Sequence, residues 1–261
     1  MKYFVADVFT DTLFGGNPAG ICPMEAWPAD EVMLKIAFEN NLAETAFFVP
    51  NGDHFDLRWF TPKVEMDLCG HATLGSAFVM MEYLDTSLTR MDFHTQSGVL
   101  TVRKENEIFI MDFPARPPLP CPKPAILEKA LGVPVQQTYA SRDLLAVVDS
   151  DITVRDLRPD FALLSEIKEF FGIIVTAQSS HSACDFVSRF FAPNDVGEDP
   201  VTGSTHCTLI PFWSERLQKT ILTARQLSER GGTLYCKQLG ERVEIGGTAR
   251  LYLSGEINVS Y

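Results

Sequence analysis

Glu44 stands in the stretch L-A-E-T-A-F-F-V, an acid inside an otherwise apolar, strand-like run. A carboxylate half-buried beside Phe47 and Phe48 is desolvated, which disfavours its anion and brings its proton affinity toward neutral pH. A group that removes and returns a proton needs that behaviour. A solvent-facing acid on an alternating strand would carry the same signature. His71 follows Cys69-Gly70 at the head of a long apolar segment. An imidazole at a helix N-terminus has its cation disfavoured and serves as a neutral donor or acceptor; a capping or buried histidine reads alike. Asp199 precedes Pro200 in G-E-D-P-V-T-G-S, and a residue before proline is pushed out of helical conformation. It suits either a loop that delivers a functional acid or simple turn and capping chemistry. Glu198, next to it, is the weaker candidate. Gly70, Gly203 and Ser204 open two long apolar segments, where small residues let backbone N–H groups approach an oxyanion. They could equally do no more than start helices. Asn17, in G-G-N-P, either reaches a ligand from a loop or initiates a turn.

The elements that must position these residues occur twice. R-W-F-T-P (Arg58–Pro62) leads to C-G-H-A-T, and R-F-F-A-P (Arg189–Pro193) leads to E-D-P-V-T-G-S-T-H. Glu44-Thr45-Ala46 and Val175-Thr176-Ala177 precede the two arginines at one common offset of 131 residues. Helical spacing is expected upstream of each, over Ala29–Asn40 and Phe161–Phe171, and again over Ala72–Leu84 and Thr205–Leu217. The tails read as hairpins, Gly98–Val102 with Ile108–Ala115 and Gly232–Cys236 with Arg242–Ala249. A period near 130 residues is too long for a solenoid. It indicates an α+β protein of two pseudo-symmetric lobes, each a curved sheet wrapped on one helix. The expected lobes are 1–116 and 117–250, with the tail 251–261 able to return to the first. Pro114–Pro124 reads as the stiff connection between them.

The differences between the copies carry as much information. Glu44 falls opposite Val175, so the fold does not demand an acid there. Cofactor-free racemases use two thiols, one on each face of an alpha carbon. Aligning Gly70 with Gly203 sets Thr202 opposite Cys69, and Cys207 lies about one turn further on. The two-thiol arrangement is broken, and Cys69 reads as a small packing residue.

Bulk properties exclude several classes. The net charge is −12, with 34 acidic and 22 basic residues and no Lys/Arg stripe, so a nucleic-acid partner is not expected. No apolar run approaches the ~20 residues of a membrane span. Six scattered cysteines without a C-x-x-C pair and without a signal peptide point to the cytoplasm and reduced thiols. His54, His94 and His181 lie in polar, loop-like contexts, no pair of them has metal-ligand spacing, and no metal site is expected.

The chain resembles the phenazine biosynthesis PhzF-like family, relatives of diaminopimelate epimerase and proline racemase. The stretches that carry the resemblance are F-G-G-N-P-A-G (Phe14–Gly20), N-N-L-A-E-T-A-F (Asn40–Phe47), R-W-F-T-P…D-L-C-G-H-A-T (Arg58–Thr73), E-D-P-V-T-G-S-T-H (Glu198–His206), R-G-G (Arg230–Gly232) and I-G-G-T-A (Ile245–Ala249). The resemblance implies two lobes, each a barrel-like sheet around a central helix (the diaminopimelate epimerase-like fold), with a site in the cleft between them, no cofactor, and a homodimer. It implies that Glu44 shuttles a proton and that His71, Asp199 and Ser204 line the cleft. The expected activity is an isomerase acting on a small carboxylated metabolite. The alternatives are an epimerase or racemase of an amino-acid-like substrate, or a binding protein without activity.

Overall fold

The computed structural model describes residues 1–194 and 197–259 and divides into two compact units. One is Met1–Asp112 with Gly246–Tyr261; the other is Phe113–Ile245. The divisions lie near the 116/117 and 250/251 of the repeat, not at them. Of the tail expected to return to the first lobe, residues 260 and 261 lie outside the described part.

The first unit begins with strands β1 (Lys2–Val8) and β2 (Asn17–Pro23), helix α1 (Asp30–Asn40), and strands β3 (Glu44–Asn51), β4 (His54–Phe60) and β5 (Glu65–Met66). Helix α2 (Gly70–Val79) follows, widening into a π-helical turn over Met80–Leu84. Strands β6 (Arg90–Thr95), β7 (Gly98–Glu105) and β8 (Ile108–Pro114) come next. Parallel pairs need a crossover, and both helices supply one: α1 joins β2 to its parallel neighbour β3, and α2 joins β4 to its parallel neighbour β6. Ladders β1·β2, β3·β4, β4·β5, β6·β7 and β7·β8 are antiparallel. Asn106, with φ 56°, makes the β7–β8 turn.

The second unit repeats this order. It contains β9 (Leu119–Pro120), α3 (Leu127–Leu131), β10 (Gln137–Ala140), β11 (Leu144–Val147), α4 (Asp151–Asp156), α5 (Phe161–Leu164), β12 (Ile173–Gln178), β13 (Phe186–Ala192), β14 (Gly197–Asp199), α6 (Gly203–Leu217), β15 (Ile221–Gln226), β16 (Gly232–Leu239) and β17 (Arg242–Gly247). Ladders β11·β12 and β13·β15 are parallel, as are β2·β3 and β4·β6. The short strand β14 lies on β13 as β5 lies on β4. The proline-rich stretch is part of this unit, with Leu119 and Pro120 pairing to the edge of β10, a position where proline is tolerated. Finally β18 (Ala249–Glu256) pairs antiparallel with β1 in the first unit.

Helix α2 is apolar on all sides and buried from His71 to Val79, as suits a helix enclosed by sheet. Its polar side chains are satisfied locally: Thr73 Oγ1 donates to the Cys69 carbonyl at 2.5 Å and Ser76 Oγ to Ala72 at 2.8 Å. Gly75 allows the close approach to the sheet, because a Cβ there would lie 3.1 Å from Ile21 and 3.2 Å from Val8. Helix α1 packs Met33, Ile36 and Ala37 against Cys22, Phe47 and Phe60. Its helical spacing is realised over nearly the full stretch. The corresponding Phe161–Phe171 is helical only over Phe161–Leu164. Asp160 caps that single turn, accepting from the Ala162 and Leu163 N–H groups. Beyond Ser165 the chain leaves the helix, yet Leu164 and Ile167 still enter the core. The apolar spacing there serves a packed turn.

The two arginines of the repeat do the same work in each unit. Arg58 donates from Nε and Nη2 to the two oxygens of Glu65, both at 2.7 Å. Arg189 donates likewise to Glu198, at 2.6 and 2.8 Å. Each guanidinium also lies over a ring of its own strand, Phe60 at 5.2 Å or Phe191 at 5.1 Å. The glutamates sit in register against those same phenylalanines. Glu198 is therefore a structural anchor. Arg189 is only 7% exposed and also donates to the Leu157 carbonyl at 2.8 Å. Removing its carboxylate partner leaves a buried, uncompensated cation. Glu198→Ala is expected to lower unfolding stability in urea by about 3 kcal/mol. Glu65→Ala, at a more exposed pair, is expected to lower it less.

Candidate active site

Strand β3 opens on Glu44, and its carboxylate Oε2 lies 3.3 Å from His71 Nε2 in the first turn of α2. The Glu44 side chain is 14% exposed. Burial holds the His71 imidazolium pKa down at about 4, so the ring is neutral and the contact is not an ion pair. The cause is burial, where the sequence suggested the helix terminus. The other ring nitrogen, Nδ1, lies 3.4 Å from the Asn17 amide nitrogen and 3.6 Å from Cys69 Sγ. Asn17 is the first residue of β2 and fully buried, so the turn reading gives way to a strand residue aimed at His71. Cys69 is the N-cap of α2 and makes no side-chain capping bond. The structure thus gathers Asn17, Glu44 and His71 around the Gly70 helix end. It adds Cys69, which the sequence reading had treated as packing. Its place directly before the helix glycine was the available signal.

In the second unit Asp199, Gly203 and Ser204 surround the start of α6. Asp199 ends strand β14 and is not in a loop. Thr202, the N-cap, donates its hydroxyl to Asp199 Oδ2 at 2.5 Å. Gln226 braces both, accepting from the Thr202 N–H at 2.9 Å and donating to the Asp199 carbonyl at 2.8 Å. Arg142 Nη2 lies 3.4 Å from Ser204 Oγ. Its cation is balanced by Asp143, a buried carboxylate whose pKa is raised by burial against the attraction of that arginine. The sequence offers Thr202 only as the counterpart of Cys69, and Gln226 and Arg142 are not visible there, since nothing in their spacing connects them to Asp199 or Ser204. His206 donates from Nδ1 to the Thr202 carbonyl at 2.9 Å, the bond that Thr73 makes to Cys69 in α2. It serves the helix.

Strand register changes the counterpart of Glu44. Arg58 pairs with Phe47, whereas Arg189 pairs with Val175. Counting back from these pairs sets Glu44 opposite Gly172, not Val175. The common offset in sequence arises because the β12–β13 connection is longer than the β3–β4 turn. Gly172 has no side chain and no room for one: a Cβ there would lie 2.4 Å from the Phe190 ring. The acid in the first unit has no functional equivalent at this position in the second.

His71 and His206 also set an expected acid response. Burial lowers each to a pKa of about 4 in the fold, below the ~6.5 of an unfolded histidine. Between these values the unfolded chain binds more protons, so stability rises with pH there and is lost as pH falls. Thermal melting is expected to decline from pH 6.5 to pH 4 with a contribution from both residues. A His206→Gln variant, which cannot take up that proton, is expected to show a shallower decline.

The model of the family described as phenazine biosynthesis-like protein matches residues 6–255. An uncharacterized isomerase of Pseudomonas aeruginosa is 49% identical over 260 residues, covering 99% of each chain. The crystal structure of a phenazine biosynthesis protein of the PhzF family from Enterococcus faecalis is 45% identical, covers 99% of each chain and superposes with a TM-score of 0.96. A probable proline racemase from Agrobacterium radiobacter shares the fold alone, at 8% identity and a TM-score of 0.64 over 99% of this chain and 93% of that one. With a family model spanning nearly its whole length, the chain belongs to the phenazine biosynthesis-like protein family.

Proposed function

We propose that the protein is an isomerase that moves a proton on a small carboxylated metabolite without a cofactor, and that Glu44 is the group that removes and returns it. The observation that carries this reading is the pairing of Glu44, 14% exposed, with a neutral His71 at 3.3 Å. A neutral imidazole leaves the carboxylate its charge as a base and can itself donate or accept a hydrogen bond to a polar substrate group. In the proposed step Glu44 takes a proton from carbon, the electron pair of that C–H bond moves into a conjugated system, and the same carboxyl returns the proton at another carbon. One shuttle suffices, which agrees with the bare glycine at the corresponding position of the second unit. The α2 end carries no capping bond from its N-cap side chain, and Gly70 offers a donor suited to a substrate carboxylate; within its own unit the α6 end, with Gly203 and Ser204, has the same character. Naming of the Pseudomonas aeruginosa relative as an isomerase supports the reaction class.

A second reading, an epimerase, is favoured by one observation: Cys69 lies 3.6 Å from His71 Nδ1, where a thiol could act as a second base. The two readings separate by substitution. Glu44→Gln is expected to reduce solvent deuterium incorporation into substrate by about 10²–10⁴-fold while ligand binding persists. Cys69→Ala is expected to retain exchange. Full exchange by Glu44→Gln, or its loss in Cys69→Ala, rejects the single-carboxylate mechanism. The family resemblance further supports a cytoplasmic homodimer, for which sedimentation equilibrium is expected to give twice the chain mass.

A further inference from the structure

Strands β4 and β6 run side by side in parallel, with Phe55 opposite Phe93 and Asp56 opposite His94. His54 and Asp56 are two residues apart on β4 and so share a face; the pairing brings His94 onto that face too. The His54 and His94 rings stack with centroids 3.7 Å apart and planes at 17°. His54 Nε2 lies 3.6 Å from Asp56 Oδ1. One donor atom from each of the three residues falls within 4.8 Å of the others. We propose that His54, Asp56 and His94 form a surface binding site for a divalent transition-metal ion of the zinc type.

Three observations carry the proposal. The first is the outer layer of hydrogen bonds. His54 Nδ1 lies 3.2 Å from Asp53 Oδ1, and Asn51 Nδ2 donates to Asp56 Oδ2 at 3.1 Å. Metal-binding imidazoles commonly give their second N–H to a carboxylate, and metal-binding carboxylates are themselves held. Both arrangements are present. The second is the charge pattern. With its Nδ1–H given to Asp53, His54 turns a lone pair at Nε2 toward the Asp56 carboxylate, and two electron donors face each other. A metal cation between them resolves that conflict, and a second imidazole stacked alongside supplies it with another nitrogen donor. The third is space. Asp56 and His94 border an open surface cavity of ≈ 380 Å³ that also meets Arg58 and Gln96. It leaves room for water or a small ligand at a remaining coordination position. Bonds of about 2.0–2.2 Å require the donors to close in and the stacked rings to fan apart. His94 is exposed and His54 and Asp56 only half-buried, so these side chains can turn without disturbing the core.

Imidazole and carboxylate donors suit Zn²⁺, Co²⁺ and Ni²⁺ over Mg²⁺ or Ca²⁺. The test is calorimetric titration of the full chain with Zn²⁺, together with Co²⁺ titration read by its visible absorption. One Zn²⁺ per chain is expected. His94→Ala and Asp56→Asn are expected to abolish that uptake, and Asn51→Ala, which loosens the Asp56 carboxylate, to weaken it by about 10–100-fold. The other donor cluster among the described residues is Glu44, Cys69 and His71, so Cys69→Ala is the control and is expected to bind Zn²⁺ unchanged. Absence of Zn²⁺ uptake at millimolar concentration, unchanged uptake by both His94→Ala and Asp56→Asn, or its loss in Cys69→Ala overturns the proposal.

Discussion

The bidentate arginine–glutamate pair is the constraint on which each unit is built. After the strand ends at proline, the chain must reverse, lay down a short antiparallel strand and enter its central helix. The guanidinium, fixed over a phenylalanine of its own strand, takes both oxygens of the glutamate and so sets the register of that short strand. The helix N-cap follows four residues after the glutamate in both copies, Cys69 after Glu65 and Thr202 after Glu198. Loss of the pair would therefore displace the residues that begin α2 and α6, and with them the candidate site. The guanidinium's planar fork matters here, since a lysine would hold one oxygen without fixing the direction of the strand.

With the scaffold repeated, the chemistry is divided by what stands at equivalent places. The N-cap is a thiol beside a neutral imidazole in the first unit and a hydroxyl bound to an aspartate in the second. Thr73 and His206, which differ in type, perform one task, bonding to the N-cap carbonyl one turn back. A histidine in this chain is thus no marker of function by itself. His71 and His206 are both buried and both kept neutral by burial. Of these two, only His71 has a carboxylate at its far nitrogen, which is why the proposed function rests on Glu44 and His71 and not on His206.

Much of the candidate site was legible in the chain because its members lie at the ends of strongly patterned elements. Glu44 begins a strand, Gly70-His71 and Gly203-Ser204 begin apolar helices, and Asp199 stands at the close of a strand bound to the anchoring arginine's own. Other members were hidden for a common reason. Gln226 and Arg142 reach the α6 end from β15 and the β10–β11 turn, and no local spacing links them to it. His54 and His94 read as solvated loop residues because each stands beside a polar residue, Asp53 or Thr95. Both lie in strands, and the parallel β4·β6 ladder places them in contact. The equal offset that aligned Glu44 with Val175 was a coincidence of loop length, which strand register exposes.

The sequence by itself determined the duplicated α+β architecture, the helix ends and the family. These follow from periodicity and from short contiguous motifs, whose physical meaning is local. Tertiary structure alone decided which residues meet: Glu44 with His71, Asn17 with the same ring, Gln226 with Asp199 and Thr202, and Gly172 against Phe190. Those contacts depend on the register of strands far apart in the chain, and a shift of one residue turns every side chain to the opposite face. Pattern fixes which face of an element is apolar, while register fixes what that face touches.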